Sequence, residues 1–353
     1  MRRTREVDRL RSALDRTARR HTSMPPPQVL VVAPGLELES GGSQPFHAAS
    51  VGKVMTATLV AMLVEQGRFG VGSPLGKLLP ASDLDGLPAA PGVDVRTDVT
   101  VEHLLTHTSG IPDFFEPPRG TRTAVSTRTV AAEPDRYWSP TALLDEARRL
   151  PARERPGQFR YGDTAFVLLG RVVEEATGEA FTEVLRTRVL EPTGMEGSST
   201  PYSDARVPGD LDGLDVAPFW LGRHELSRAL SLSLDWAGGG IVAPPADLVR
   251  FQQALHGGRL VSPETLRWMA APRHRRRRGI HYGAGMVTVR FGEFTPPFLR
   301  GLPEPVGGLG HFATHLFYYP RQDAHVVLNF HAYRRMNQSF MTHARIARLL
   351  VDV

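Results

Sequence analysis

Residues 46–67 read FHAASVGKVMTATLVAMLVEQG, an apolar segment opened by Ser50 in which Lys53 is the only charge before Glu65. A helix that is apolar on every side belongs in a core. Positions 50 and 53 lie three apart and share one face of that helix, which sets the ammonium beside the hydroxyl. Low-dielectric surroundings push a lysine towards its neutral form, and a neutral amine can take a serine proton. The helix N-terminus also presents unpaired backbone N–H groups to a developing oxyanion. Of the 42 Lys plus Arg residues, only Lys53 and Lys77 are lysine. A guanidinium does not deprotonate, so a lysine at a buried position of so arginine-biased a chain points to chemistry that arginine cannot do. The same residues also describe a core helix capped by Ser50, with Lys53 snorkelling to water. Four positions alone leave both readings open.

A chain of 353 residues can bury a large core and hold one large or two interleaved domains. With no cysteine there is no disulfide, thiol nucleophile or thiolate metal site. The opening MRRTREVDRLRSALDRTARR is charged, with Val7, Leu10, Leu14 and Ala18 on one face of an amphipathic helix. It has no apolar leader core, and no uncharged run reaches spanning length. The expectation is a cytoplasmic protein with no membrane partner. The net charge of +5 raises the question of nucleic acid. Its densest source, Arg273 to Arg278, has no interleaved aromatics, so no nucleic-acid partner is expected and a solvated loop is the plainer reading. Attraction of an anionic substrate or an acidic carrier protein is the second reading.

Along the chain, Gln28 to Val32 predicts a strand and Gly35 to Ser40 a strand or turn after it. Thr100 caps a short helix to Leu105, and a second helix runs from Ser139-Pro140 to about Leu150. His103 and His107 stand four apart, but no third ligand is evident, so structural histidines are expected and no metal. Residues 113–140 read as an irregular lid or pocket wall containing Phe114, Phe115, Tyr137 and Trp138. A helix from Thr164 to Thr177 ends at Gly178, with Asp163 placed to cap it. Further helices are predicted over Phe181 to Leu190, Pro245 to Leu255 and Asn337 to Leu350, with strands over Tyr282 to Phe291, His315 to Tyr319 and Ala324 to Phe330. Strands thus sit at both ends and helices in the middle.

Taken in order, several of these segments resemble the serine β-lactamase and penicillin-binding protein superfamily, in its class C-like branch of esterases, D-aminopeptidases and transacylases. Ser50-Val51-Gly52-Lys53 matches S-x-x-K, and VEHLLTHTSGIP over Val101 to Pro112 resembles a non-catalytic signature. Tyr161-Gly162-Asp163 matches Y-x-N with Asp for Asn, and EPTGM and AGGGIVAPPADLVRF follow as expected. The resemblance covers roughly Pro27 to Phe330. It implies an α+β fold, a mainly antiparallel sheet flanked by helices, with an inserted mostly helical subdomain. The implied division is a sheet unit of residues 1–75 and 235–353 and a helical unit of 76–234, with the site in the cleft between them.

The resemblance implies catalytic roles for Ser50, Lys53 and Tyr161. An ammonium lowers a neighbouring phenol's pKa, so Tyr161 is expected to act as base towards Ser50 and acid towards the leaving group. Asp163 would orient Lys53 or the substrate, and its charge should keep Lys53 protonated. The family's K-T-G or H-x-G element is where the sequence departs. Ungapped matching puts Gly308-Leu309-Gly310 there, with the backbone N–H of His311 as oxyanion donor, and Gly308, Gly310 and His311 as substrate-binding positions. No lysine or arginine then stands at that element to hold a substrate carboxylate, which argues against β-lactam hydrolysis and carboxypeptidase activity.

The expectation is a serine acyl-enzyme hydrolase or acyltransferase of specialised metabolism. It needs no cofactor and takes a small-molecule acyl donor with water, an amine or an alcohol as acceptor. The alternatives are a β-lactamase or D-amino-acid peptidase, and a non-catalytic binding protein on the same fold.

Overall fold

The structure is a computed structural model that describes residues 2–20, 24–152, 154–294 and 299–351. Its centre is an eight-stranded sheet, antiparallel throughout. The strands are β1 (Gln28–Ala33), β2 (Leu36–Ser40), β3 (His274–Arg277), β4 (Ile280–Tyr282), β5 (Val287–Val289), β6 (Val306–Gly310), β7 (Thr314–Tyr319) and β8 (Ala324–Asn329). They lie in the order β2-β1-β8-β7-β6-β5-β4-β3.

The two-residue period of a strand sends alternate side chains to opposite faces. Val29, Val31, Phe317, Tyr319, Val326 and Leu328 point to one face, where Leu10 and Leu14 of the first helix, Arg2–Arg20, meet Ala344, Ile346, Ala347 and Leu350 of the last, Met336–Leu350. Of Ala18, the side chain lies outside the described residues. Leu30, Leu316 and Val327 point to the other face and join the larger apolar cluster built on the helix Gly52–Glu65. That helix is buried at every residue from Gly52 to Ala61, as its unbroken apolar sequence requires. Between β2 and β3 the chain is mostly helical, and the fold is the α+β arrangement the sequence implies.

Two local expectations change. Tyr282 to Phe291 is not one strand but β4 and β5 joined by a tight turn. Gly285 has φ +74°, and a Cβ there would sit 2.2 Å from that of Ala57, so the backbone bends where the Ser50 helix passes beneath it. The basic run is not a loop either: His274–Arg277 is the edge strand β3, with an irregular register between Arg275 and Arg277. Among the described residues no helix is long and apolar enough to cross a membrane.

Candidate active site

Ser50 sits in a 3-10 turn, Ala49–Val51, that runs straight into the Gly52–Glu65 helix. Ala49 is held at φ +49°, unusual for a residue with a side chain, and its N–H donates to His47 Nδ1 at 3.0 Å. Lys53, one turn on, is buried rather than snorkelling, which removes that alternative. Its Nζ donates to Ser50 Oγ at 3.3 Å, to the Gly238 carbonyl at 2.7 Å and to the Asp163 carboxylate. Tyr161 donates its hydroxyl to Ser50 Oγ at 2.9 Å. Residues 50, 53, 161 and 163, spread over more than a hundred positions of sequence, therefore form one hydrogen-bonded group.

Glycines make this closeness possible. A Cβ on Gly52 would lie 2.8 Å from the Gly239 Cα, and one on Gly239 would lie 2.3 Å from the Ala49 carbonyl oxygen. Two backbones thus pass in direct contact, which brings the Gly238 carbonyl to Lys53; Thr56 Oγ1 fastens the same strap by donating to Ala237 O at 2.7 Å. Gly308 and Gly310 follow the same logic on β6. A Cβ on Gly308 would strike Val54 at 2.9 Å, and one on Gly310 would strike Thr314 Oγ1 at 1.9 Å. Gly310 and His311 line the cleft, whereas Gly308 lies behind it against Val51 and Val54.

The Tyr161 loop is templated by the VEHLLTHTSGIP segment. His107 is buried at φ +56°; its carbonyl accepts from Arg160 N at 2.8 Å, its Nδ1 accepts from Gly162 N at 3.3 Å, and its ring centroid lies 4.5 Å from that of Tyr161. Thr108 O accepts from Gly157 N at 2.8 Å. His103 instead turns to Thr100, closing a capping box at the start of Val101–Leu105. The two histidines serve different partners.

Asp163 does not cap its helix with its side chain. Asp113 does so from the preceding irregular segment: its Oδ1 accepts from Asp163 N at 2.6 Å and Thr164 N at 3.1 Å, and its Oδ2 from Glu116 N at 2.6 Å. The Asp163 side chain is thereby left for Lys53. Asp113 carried no motif and gave no signal in the sequence. Asp235 was also missed; it lines the cleft, with Oδ2 3.4 Å from His47 Nε2.

The charges follow from this packing. Burial alone would lower Lys53, but the carboxylate of Asp163, with Tyr161 and Asp235 beyond it, holds its pKa above the ordinary lysine value. Burial drives Tyr161 upward and outweighs the pull of Lys53 and Arg276, contrary to the expected lowering: the resting phenol keeps its proton and donates it to Ser50. Burial and the Asp163 charge push Asp235 up to about 7, against the pull of Lys53. The same two causes take Asp113 to about 7, against the three N–H groups it accepts. His47 is pushed down by burial to about 3 and is neutral.

Ser50 opens into a cleft of about 170 Å³. Its lining is mixed: Phe115, Leu232, Leu234, Ile280 and Phe312 supply apolar surface, Tyr161, Asp163 and Asp235 polar surface, and the rim carries Glu116, Arg276 and His311. The Arg276 guanidinium lies 4.0 Å from the centroid of the Tyr161 ring. Part of the basic run therefore belongs to the site.

An antiparallel sheet between helical layers, with an S-x-x-K helix start facing a Tyr-Gly-Asp loop across a cleft, defines the architecture shared by β-lactamases and penicillin-binding proteins. The chain belongs to the beta-lactamase family, whose profile matches residues 39–349. Penicillin-binding protein 4 of Amycolatopsis lactamdurans is 31% identical over 237 residues, which cover 64% of this chain and 54% of that protein. Esterase EstB of Burkholderia gladioli is 30% identical over 245 residues, covering 63% of this chain and 59% of that one. The chain spans about half the length of the curated relatives it matches first. A D-stereospecific amidohydrolase from Streptomyces sp. superposes with a TM-score of 0.75 over 94% of this chain and 97% of its own, at 22% identity, a likeness of fold.

Proposed function

We propose that this protein is a serine hydrolase or acyltransferase that forms an acyl-enzyme on Ser50 from an ester or amide. The observation that carries this is the meeting of Lys53 Nζ and Tyr161 OH on one oxygen, Ser50 Oγ, at the floor of the cleft. The site lies, on this proposal, between a sheet unit of residues 1–75 and 235–353 and a helical unit of 76–234. The names of the similar proteins, an esterase and an amidohydrolase among them, support the same class of reaction.

In the resting site both neighbours of Ser50 Oγ are protonated, so neither can yet accept its proton. Loss of one proton from the Lys53–Tyr161 pair to solvent water generates the base. The phenol is the group that releases it, because Asp163 holds Lys53 in its charged form. The phenolate then takes the Ser50 proton as Oγ bonds to the carbonyl carbon, and the tyrosine returns that proton to the departing alkoxide or amine as the carbonyl bond to it breaks. Lys53 remains an ammonium throughout and stabilises the phenolate and the attacking oxygen. Water, an amine or an alcohol reverses the sequence by attacking the ester on Ser50.

Intact-mass measurement after mixing with para-nitrophenyl esters tests this. The expected result is an acyl adduct that maps to Ser50 and is absent from Ser50→Ala. Failure of every activated ester and of a fluorophosphonate to label the protein would sink it in favour of a binding role. Release of para-nitrophenol that does not depend on added amine identifies hydrolysis; amine-dependent release with amide formation identifies transfer.

A further inference from the structure

The cleft contains a cation from the run whose plainer sequence reading is a solvated loop and whose second reading is attraction of an anion. Arg276 comes from the edge strand β3, where the register shifts between Arg275 and Arg277. Such a bulge takes one residue out of the ladder and re-aims its side chain, and bulges recur beside functional sites for that reason. Here the re-aimed residue is Arg276. Its guanidinium lies over the ring of Tyr161, whose hydroxyl is 2.9 Å from Ser50 Oγ, and about a third of its side chain stays open to solvent. Its partner is Glu116, reached through both carboxylate oxygens at 2.8 and 3.0 Å. Glu116 belongs to the irregular stretch after Asp113, and half of its side chain is exposed.

Both distances are to one nitrogen, Arg276 Nη2, so the pair is a charge-assisted contact that another carboxylate can supply. A solvent-exposed pair of this kind contributes little to stability, so exchange of one carboxylate for another is nearly balanced. Lys53 cannot take the role, since its three donors are engaged by Ser50, Asp163 and Gly238.

We propose that Arg276 is the substrate-recognition residue of this cleft, that it binds a carboxylate on the acyl donor, and that Glu116 holds this anion position until the donor displaces it. The assignment rests on the acyl-enzyme reading for its relevance to turnover, but binding tests it independently. It places the missing cation not on β6, where the resemblance looks for one, but on β3 at the edge of the same sheet.

The probe pair is adipic acid monoanilide, with a free carboxylate, and its methyl ester, titrated calorimetrically into Ser50→Ala. A charge-assisted contact predicts about 10- to 100-fold tighter binding of the free acid. Arg276→Gln in the same background should abolish that preference. Glu116→Gln should increase it several-fold, because the resident competitor loses its charge. Equal binding of acid and ester, or a preference unchanged in both variants, overturns the proposal. So does tighter binding of the ε-aminocaproic anilide, which would make Glu116 the reader of a cation. In the otherwise unaltered protein, the para-nitrophenyl ester of adipic acid should turn over faster than its methyl ester counterpart. Intact binding preference without turnover or labelling of Ser50 would strike the acyl-enzyme reading and leave the carboxylate site standing.

Discussion

The floor and the rim of the cleft are built on different terms. At the floor, Lys53 is buried and holds three partners, Tyr161 is framed by His107, and glycines let whole backbones touch. At the rim, Arg276 and Glu116 form a pair open to water, and Phe115 comes from a segment without regular structure. Lys53 and the Tyr161 ring are each positioned by more than one neighbour, as the proposed chemistry requires. The rim has few constraints beyond its own contacts, as suits a surface that adjusts to what it binds.

The largest expected effect is at the floor. Lys53→Arg keeps the charge, but its planar fork cannot set one nitrogen among Ser50, Asp163 and Gly238 together, and the acylation rate should fall about 10²- to 10⁴-fold. Stopped-flow release of para-nitrophenol measures it; a loss smaller than tenfold would show that the floor tolerates displacement as readily as the rim.

Asp163→Asn should have a smaller effect and a diagnostic sign. The Asp163 carboxylate raises both Lys53 and Tyr161, so its neutralisation lowers both pKa values. The limb on which acylation climbs with pH should then move to lower pH. A pH–rate profile with an unmoved limb would mean that neither group carries the transferred proton.

Phe115→Ala, at the rim, should raise KM for apolar acyl groups by tenfold or less, about the worth of one partly buried aromatic contact, with kcat nearly unchanged. A large fall in kcat would erase the distinction between the two ends.

The same contrast governs how much could be read from the sequence. The Ser50 helix was legible because burial on all sides forces an unbroken apolar run, and β1, β7 and β8 because short, near-continuous apolar runs mark strands covered on both faces. Tyr161 and Asp163 could be found only through resemblance, since no local pattern connects them to Ser50 across the chain. The role of Gly238 was hidden because a backbone carbonyl has no sequence identity. Asp113 and Asp235 are ordinary acidic residues until the fold surrounds them. The basic run misled because a charged strand at a sheet edge has the composition of a solvated loop, and the bulge that turns Arg276 inward leaves no mark in the letters. The upward displacement of Tyr161 was missed for a related reason: the neighbouring ammonium could be anticipated, but the depth of burial that outweighs it could not.

The pairing of β1 with β8 has a consequence in time. Gln28 lies opposite Asn329, and Asn329 Nδ2 donates to the Gln28 side-chain oxygen Oε1 at 2.8 Å, across 301 positions of chain. On the ribosome, β1 can pair with β2 at once, but its other edge stays unpaired until the 301 positions up to Asn329 have also been made, open to other chains or to chaperones before the sheet can close. The yield of folded protein should therefore respond to the speed of elongation more than the stability of the finished sheet would suggest.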